Sequence, residues 1–197
     1  GSSEVGKRIM SRAAGTLKQV SLELGGKSAS IVCDDADLDV VVDGALAGNF
    51  ANAGQICISA SRLLVARPVY AEVVERLAHR IRDIKVGYQL LPDTRMGPLA
   101  TVKQFETVQK YVETGKAEGA RVVCGGRPLK RPGFEGGCYF EPTIFADVNN
   151  SMRIAQEEIF GPVLVVIPFE DDEDAIRIAN ESAYGLGGGV LSGDRER

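Results

Sequence analysis

The sequence predicts an α/β domain with a largely parallel sheet and flanking helices. Three observations predict it. Segments with the two-residue period of strands alternate with segments of helical period along the chain. The run Val163 to Ile167 is continuously apolar, as a strand covered on both faces of a parallel sheet must be. Clusters of glycine, proline and aspartate separate the segments. At 197 residues the chain can bury a real core and suits one such domain, or one and a fraction.

The first element is a helix. Ser2 or Ser3 suits its N-cap, Glu4 its first turn, and Val5, Ile9, Ala13 and Ala14 form one stripe before Gly15. Val20, Leu22 and Leu24 then alternate with Ser21 and Glu23, the period of a strand that ends in the pair Gly25-Gly26. Ala29 to Cys33 reads as a short buried strand, with Cys33 in the core. The acidic cluster Asp34-Asp35-Ala36-Asp37 starts a helix whose inner face is Leu38, Val41, Val42, Ala45 and Leu46.

Ser61 to Ala66 is the next strand, and Pro68 fits the first turn of the helix after it, where its missing N–H is harmless. Tyr70, Val73, Leu77, Ile81 and Ile84 face inward there, which leaves His79 on the surface. Past a loop from Gly87 to Pro98, a helix follows with Val102, Phe105, Val108 and Val112 facing inward, and it ends between Gly115 and Gly119. Arg121 to Cys124 reads as strand, Gly125 to Gly137 as loop, and Tyr139 to Phe145 as extended chain. Asp171 to Asp174 load the start of a last helix with acid, and Ala175, Ile176 and Ala179 face inward on it. Tyr184 to Leu191 gives a final glycine-rich strand before the charged turn 193–197.

Composition excludes several functions. The formal charge of −4, with signs interspersed, provides no basic face for nucleic acid. No apolar run approaches the ~18 residues of a membrane span. Cysteines 33, 57, 124 and 138 form no C-x-x-C pair, and the single His79 completes no familiar metal site with them. This usage predicts a reduced, metal-free, cytoplasmic protein, although Cys124 and Cys138 flank one loop and could in principle pair.

The stretch Asn52 to Ser59 presents Cys57 in a loop of small residues, between Ile56 and Ile58. A thiol attacks as thiolate, which facing backbone N–H groups favour, and Gly54 lets backbone approach a substrate closely. The residues alone leave a buried, inert thiol open as the other reading. Glu23, at the end of its expected strand, fits a general base that activates water against a thioester, or a solvated surface carboxylate. Asn49 and Asn52 could orient the Cys57 loop.

Leu22-Glu23-Leu24-Gly25-Gly26-Lys27, then Gly54-Gln55-Ile56-Cys57, then Glu157-Glu158-Ile159-Phe160-Gly161-Pro162 resemble, in order and spacing, three signature motifs of the aldehyde dehydrogenase superfamily. The likeness runs from Gly1-Ser2-Ser3-Glu4-Val5-Gly6, with Ser3 where threonine is common, to Tyr184-Gly185-Leu186. It implies oxidation of a small-molecule aldehyde to a carboxylic acid, with Cys57 as nucleophile and Glu23 as general base. It implies NAD, with NADP as the alternative, contacted by Gly1, Ser2, Val5, Leu24, Gly25, Glu158 and Phe160. By the same resemblance residues 1–24 end a dinucleotide-binding domain and residues 25–197 form a catalytic domain incomplete at its C-terminus. The chain is then expected to be a piece of a homo-oligomeric enzyme, dimer or tetramer. Two alternatives stand beside this: a coenzyme-A-acylating relative, which needs no base at Glu23, and a non-catalytic truncated module of the same fold.

Overall fold

A six-stranded sheet carries the chain in the computed structural model, which describes residues 1–196. Arg197, at the end of the expected charged turn, lies outside the described residues. The strands are β1 (Ala29–Val32), β2 (Arg62–Ala66), β3 (Arg121–Cys124), β4 (Thr143–Ala146), β5 (Val163–Phe169) and β6 (Gly188–Leu191). Their order in the sheet is β3-β4-β5-β2-β1-β6, and every pair is parallel except β3 with β4. Central position explains composition: all residues of β2 and β4 are buried, and all of β5 but Pro168.

Helices α1 (Ser3–Ala14), α2 (Leu38–Phe50), α3 (Arg67–Arg80), α4 (Val102–Ala117), α5 (Arg153–Gln156) and α6 (Asp172–Asn180) flank or extend the sheet. Side-chain oxygens of Ser2, Asp37, Thr101 and Asp171 accept from first-turn N–H groups of α1, α2, α4 and α6, as N-caps do. Pro68 stands in the first turn of α3. Val41, Val42 and Ala45 of α2, Val73 and Leu77 of α3, and Val108 and Val112 of α4 are buried in one core that also holds the central strands.

Register decides where a site can form. Ala29 of β1 pairs with both Arg62 of β2 and Gly188 of β6, and Arg62 pairs with Val165 of β5. The strands are parallel, so the segments that enter them, 25–28, 55–61, 157–162 and 184–187, collect at one edge of the sheet. Open α/β sheets usually bind ligands beyond the carboxyl ends of their strands. Here the chemistry-bearing motifs gather at the amino ends.

Arg62 ties that edge together. Only 2% exposed, it donates through Nε to the Lys27 carbonyl at 2.9 Å, and through Nη1 to Asn150 Oδ1 at 3.1 Å and the Ile178 carbonyl at 3.0 Å. Its Nη2 donates to the Ala179 carbonyl at 2.9 Å. One guanidinium thus joins the start of β1, the loop after β4 and the end of α6.

Several expectations are corrected. Val20 to Leu24 form no strand; no partner strand lies alongside them among the described residues, and Leu24 packs on Gly6 of α1 instead. The apolar stripe of α1 is exposed at Val5 and Ile9, and Gly6 is the one buried residue of that helix. Val102 and Ile176 face solvent, and Ile178 takes the inward place on α6. The last strand begins at Gly188, since residues 184–187 are irregular. The pairing left open for Cys124 and Cys138 is not formed: both are free thiols, and burial pushes the Cys124 thiol up to about 11. Cys33 is a core residue as expected.

Arg62→Ala leaves four acceptors at the sheet edge without their donor. It is expected to lower the free energy of unfolding by about 3 kcal/mol or more, read from urea denaturation.

Candidate active site

Cys57 stands at the corner of a tight turn between α2 and β2. The Ser59 N–H donates to the Ile56 carbonyl at 3.0 Å, so Cys57 and Ile58 are the two central residues of the turn. Cys57 is half-buried and Ile58 is exposed. Its backbone N–H makes no hydrogen bond among the described residues. Behind the turn, Ser59 Oγ lies 3.2 Å from both the Gly48 carbonyl and Asn49 Oδ1, which anchors the turn to the last part of α2.

The approach to this turn is strained. Asn52, Ala53 and Gly54 have φ of 51°, 54° and 70°, the left-handed region. Asn52 and Ala53 carry a Cβ, for which that conformation costs about 1–2 kcal/mol each. A reciprocal pair holds it: Asn52 Nδ2 donates to the Gln55 carbonyl at 3.1 Å, and Gln55 Nε2 donates to the Asn52 carbonyl at 3.0 Å. Gln55 Oε1 also accepts from the Ala100 N–H at 2.9 Å, which pins the loop from outside.

Glycines bring the other motifs against it. A Cβ on Gly26 would lie 2.3 Å from the Cys57 carbonyl oxygen, one on Gly25 2.2 Å from Glu158 Oε2, and one on Gly54 2.0 Å from the Gly161 carbonyl oxygen. The Gly26 N–H donates to Glu158 Oε1 at 3.1 Å. Gly26, Gly54, Ile56, Glu158 and Phe160 line a common narrow cleft. Phe160 is 39% exposed with a φ of 53°, and Gln104 Nε2 donates to its carbonyl at 2.8 Å.

The adjacent carboxylates Glu157 and Glu158 have different surroundings. Glu157 accepts from Arg153 Nε at 2.8 Å, Arg153 Nη2 at 2.9 Å and the Tyr111 hydroxyl at 2.6 Å. Arg153 first and Tyr111 second pull its pKa down to about 2. Glu158 keeps one oxygen outside such pairing, so of the two it is the carboxylate able to accept from a ligand.

The other expected residues fall in two groups. Glu23, Leu24 and Gly25 lead directly into the Gly26 contact, and the Glu23 carboxylate is exposed without a side-chain partner among the described residues. Gly1, Ser2 and Val5 lie at the exposed start of α1. They join the cluster indirectly, through the Gly1 amine donating to the Glu23 carbonyl at 2.8 Å and through Gly6 packed on Leu24. Sequence reasoning passed over Lys27, which is 2% exposed with no hydrogen-bond partner for Nζ among the described residues, and Arg62. A basic residue at the start of each apolar strand was the available signal.

The profile of the aldehyde dehydrogenase family matches residues 1–197, the whole chain. The chain belongs to the aldehyde dehydrogenase family. A betaine aldehyde dehydrogenase of Brucella ovis is 46% identical over 197 residues, which are 100% of this chain and 40% of that protein. Among solved structures, a betaine aldehyde dehydrogenase from Staphylococcus aureus in complex with NAD+ superposes with a TM-score of 0.96 at 42% identity, covering 98% of this chain and 39% of that one. HpcC from Thermus thermophilus gives 0.94 at 44% identity, covering 100% and 39%. The chain therefore spans about 40% of the length of the curated relatives it matches. In this member of the family the three motifs meet through glycine contacts at the amino ends of parallel strands.

Two outcomes are expected from this geometry. Gly54→Ala combines a left-handed backbone with a blocked approach to Gly161, and should lose about 3 kcal/mol of stability or more in urea denaturation, with faster labelling of Cys57 by a thiol reagent. Lys27→Met should gain about 1–3 kcal/mol at neutral pH by removing an unpaired buried donor. Burial first, then Arg62, lowers the Lys27 pKa from 10.5 to about 7, so the unfolded chain binds the extra proton between those values. The stability of the unsubstituted protein thus rises with pH across that window, and the advantage of Lys27→Met is largest below about pH 7 and shrinks towards 10.5. Denaturation midpoints measured against pH read it directly.

Proposed function

We propose that this chain carries the nucleophile of an NAD-dependent aldehyde dehydrogenase that converts an aldehyde to a carboxylic acid. The observation that carries the reading is Gly26, which abuts the Cys57 carbonyl and also donates to Glu158. We further propose that residues 1–24 end a dinucleotide-binding domain and residues 25–197 belong to the catalytic domain, a division supported by the lack of any sheet strand before Ala29 among the described residues.

The residues fit NAD at its nicotinamide end. Glu158 offers an acceptor for ribose hydroxyls, Gly25 leaves room for close approach, and the half-exposed Phe160 ring suits a flat heterocycle. Leu24, Gly25, Glu158 and Phe160 would hold that end, and Gly1, Ser2 and Val5 would meet the dinucleotide at the start of α1. The NAD+ complex of the Staphylococcus aureus relative supports this choice of cofactor. When bound, NAD supplies the hydride acceptor.

The chain's own residues do the rest. Cys57 sulfur adds to the aldehyde carbonyl carbon, and the C=O electrons move onto oxygen. The Cys57 N–H, free of other acceptors among the described residues, stabilises that oxyanion. After oxidation the acyl group is a thioester on Cys57. Glu23, exposed and unpaired among the described residues, takes a proton from water as its oxygen attacks the acyl carbon, and the C–S bond breaks to return the thiolate. An available carboxylate at Glu23 favours hydrolysis over transfer to an external thiol. Ile56 and Ile58 beside the nucleophile favour an apolar aldehyde over a cationic one.

The test is acyl trapping in the purified protein that carries this chain, incubated with NAD and a panel of aldehydes and analysed by peptide mass spectrometry. Glu23→Gln is expected to accumulate an acyl group on Cys57 and to lose about 10²-fold or more in turnover. Absence of any adduct on Cys57 across the panel would overturn the nucleophile, and undiminished turnover in Glu23→Gln would overturn the base.

A further inference from the structure

Lys27 and Ser28 follow the Gly25-Gly26 pair into β1, and both bury a donor that has no partner among the described residues, Lys27 Nζ and Ser28 Oγ. The two residues are 2% and 5% exposed. They line one cleft of about 390 Å³, walled also by Arg62, Tyr184 and the glycine-rich segment 185–189. Among the described residues, no carboxylate lines it. The cleft adjoins the Cys57 turn, since Gly187 packs against Ile58 and Gly26 against the Cys57 carbonyl.

Arg62 and Glu157, two of the charged groups near Lys27, are already committed, and Glu158 is engaged through one of its two oxygens. Arg62 spends its donors on four protein acceptors, including the Ile178 and Ala179 carbonyls at the end of α6. Glu157 is held by Arg153 and Tyr111, and Glu158 accepts from Gly26. Unmatched donors remain on Lys27 and Ser28, beside a second buried cation. An acceptor of negative charge would match both.

We propose that this cleft binds a small oxyanion of carboxylate size, with Lys27 Nζ and Ser28 Oγ as its donors. An ammonium and a hydroxyl that line one cleft offer donors to the oxygens of one anion, and charge-assisted hydrogen bonds in a buried site are the strong ones. The carboxylic acid formed in the proposed reaction has this chemistry, but binding here requires no turnover. Proton linkage follows. Burial and Arg62 hold the Lys27 amine down to about 7, against Glu158 and Glu157, which act in the opposite sense, and with Tyr184 on the facing wall. A bound anion favours the ammonium, so above about pH 7 binding takes up a proton and weakens as pH rises, and below it affinity is level.

Calorimetric titration of the purified protein with formate, acetate and inorganic phosphate, on both sides of about pH 7 and in buffers of different ionisation enthalpy, tests this. The expected result is saturable acetate or formate binding with proton uptake at the higher pH, weakened about tenfold or more by Lys27→Met and severalfold by Ser28→Ala. Cys57→Ser, which removes the proposed nucleophile, should leave binding in place, so this result stands apart from the catalytic reading. Ser28→Ala decides the matter if Lys27→Met does not fold. Absence of saturable binding, binding unchanged in both variants, binding without proton uptake, or binding of phosphate alone would each overturn the proposal.

Discussion

Strands β1, β2, β5 and β6 run parallel with their amino ends nearly level, so their entering segments meet at one edge of the sheet, closer than side chains permit. Gly25 faces a carboxylate, Gly26 a carbonyl of the cysteine turn, and Gly54 the carbonyl of Gly161. Each contact exists because one partner lacks a Cβ. The cluster is held by shape and by the hydrogen bond from Gly26 to Glu158 more than by ion pairs among the described residues. Cys57, Glu158 and the Glu23–Gly26 segment keep their relation only while these three approaches stay closed.

Rigid elements behind the edge keep them closed. Arg62 binds three separate segments with bonds of 2.9 to 3.1 Å, at the strand position level with Ala29 and Val165. The strained turn at Asn52 and Ala53 leans on the same frame through Gln55 and Ala100. Backbone strain of that kind persists only where the surroundings over-determine it. A frame of buried parallel strands supplies that, and the half-exposed thiol and the Glu158 carboxylate are its beneficiaries.

The sheet and its helices were legible because burial on both faces leaves a plain mark: β5 is a continuous apolar run, and α2 begins where Asp37 can cap it. The failure at Val20 to Leu24 has the opposite cause, since alternation predicts a strand only if an edge is available to pair with, and α1 stands there instead. Ile176 and Val102 misled because a helix of helical period does not say how wide its buried stripe is. The site motifs were legible as residue types at fixed spacing. The resemblance chose Glu158 over Glu157, but the residues alone carry no reason for it, since Arg153 and Tyr111, which occupy Glu157, become its neighbours only in the fold.

Lys27 and Arg62 make the sharpest comparison in the molecule. Both are basic, both are 2% exposed, and both stand near the start of neighbouring strands. Arg62 has four acceptors and Lys27 has none among the described residues. A buried cation with four of its five N–H donors matched is explained by the segments it joins. A buried lysine with none matched holds the protein below the stability that an apolar residue would give, and burial lowers its proton affinity as well. Packing alone gives no reason to keep nitrogen there, because methionine fills a similar volume. In the cleft beside the Cys57 turn its neighbour Ser28 also has an Oγ without a partner among the described residues, and the anion proposed for that cleft would match both donors.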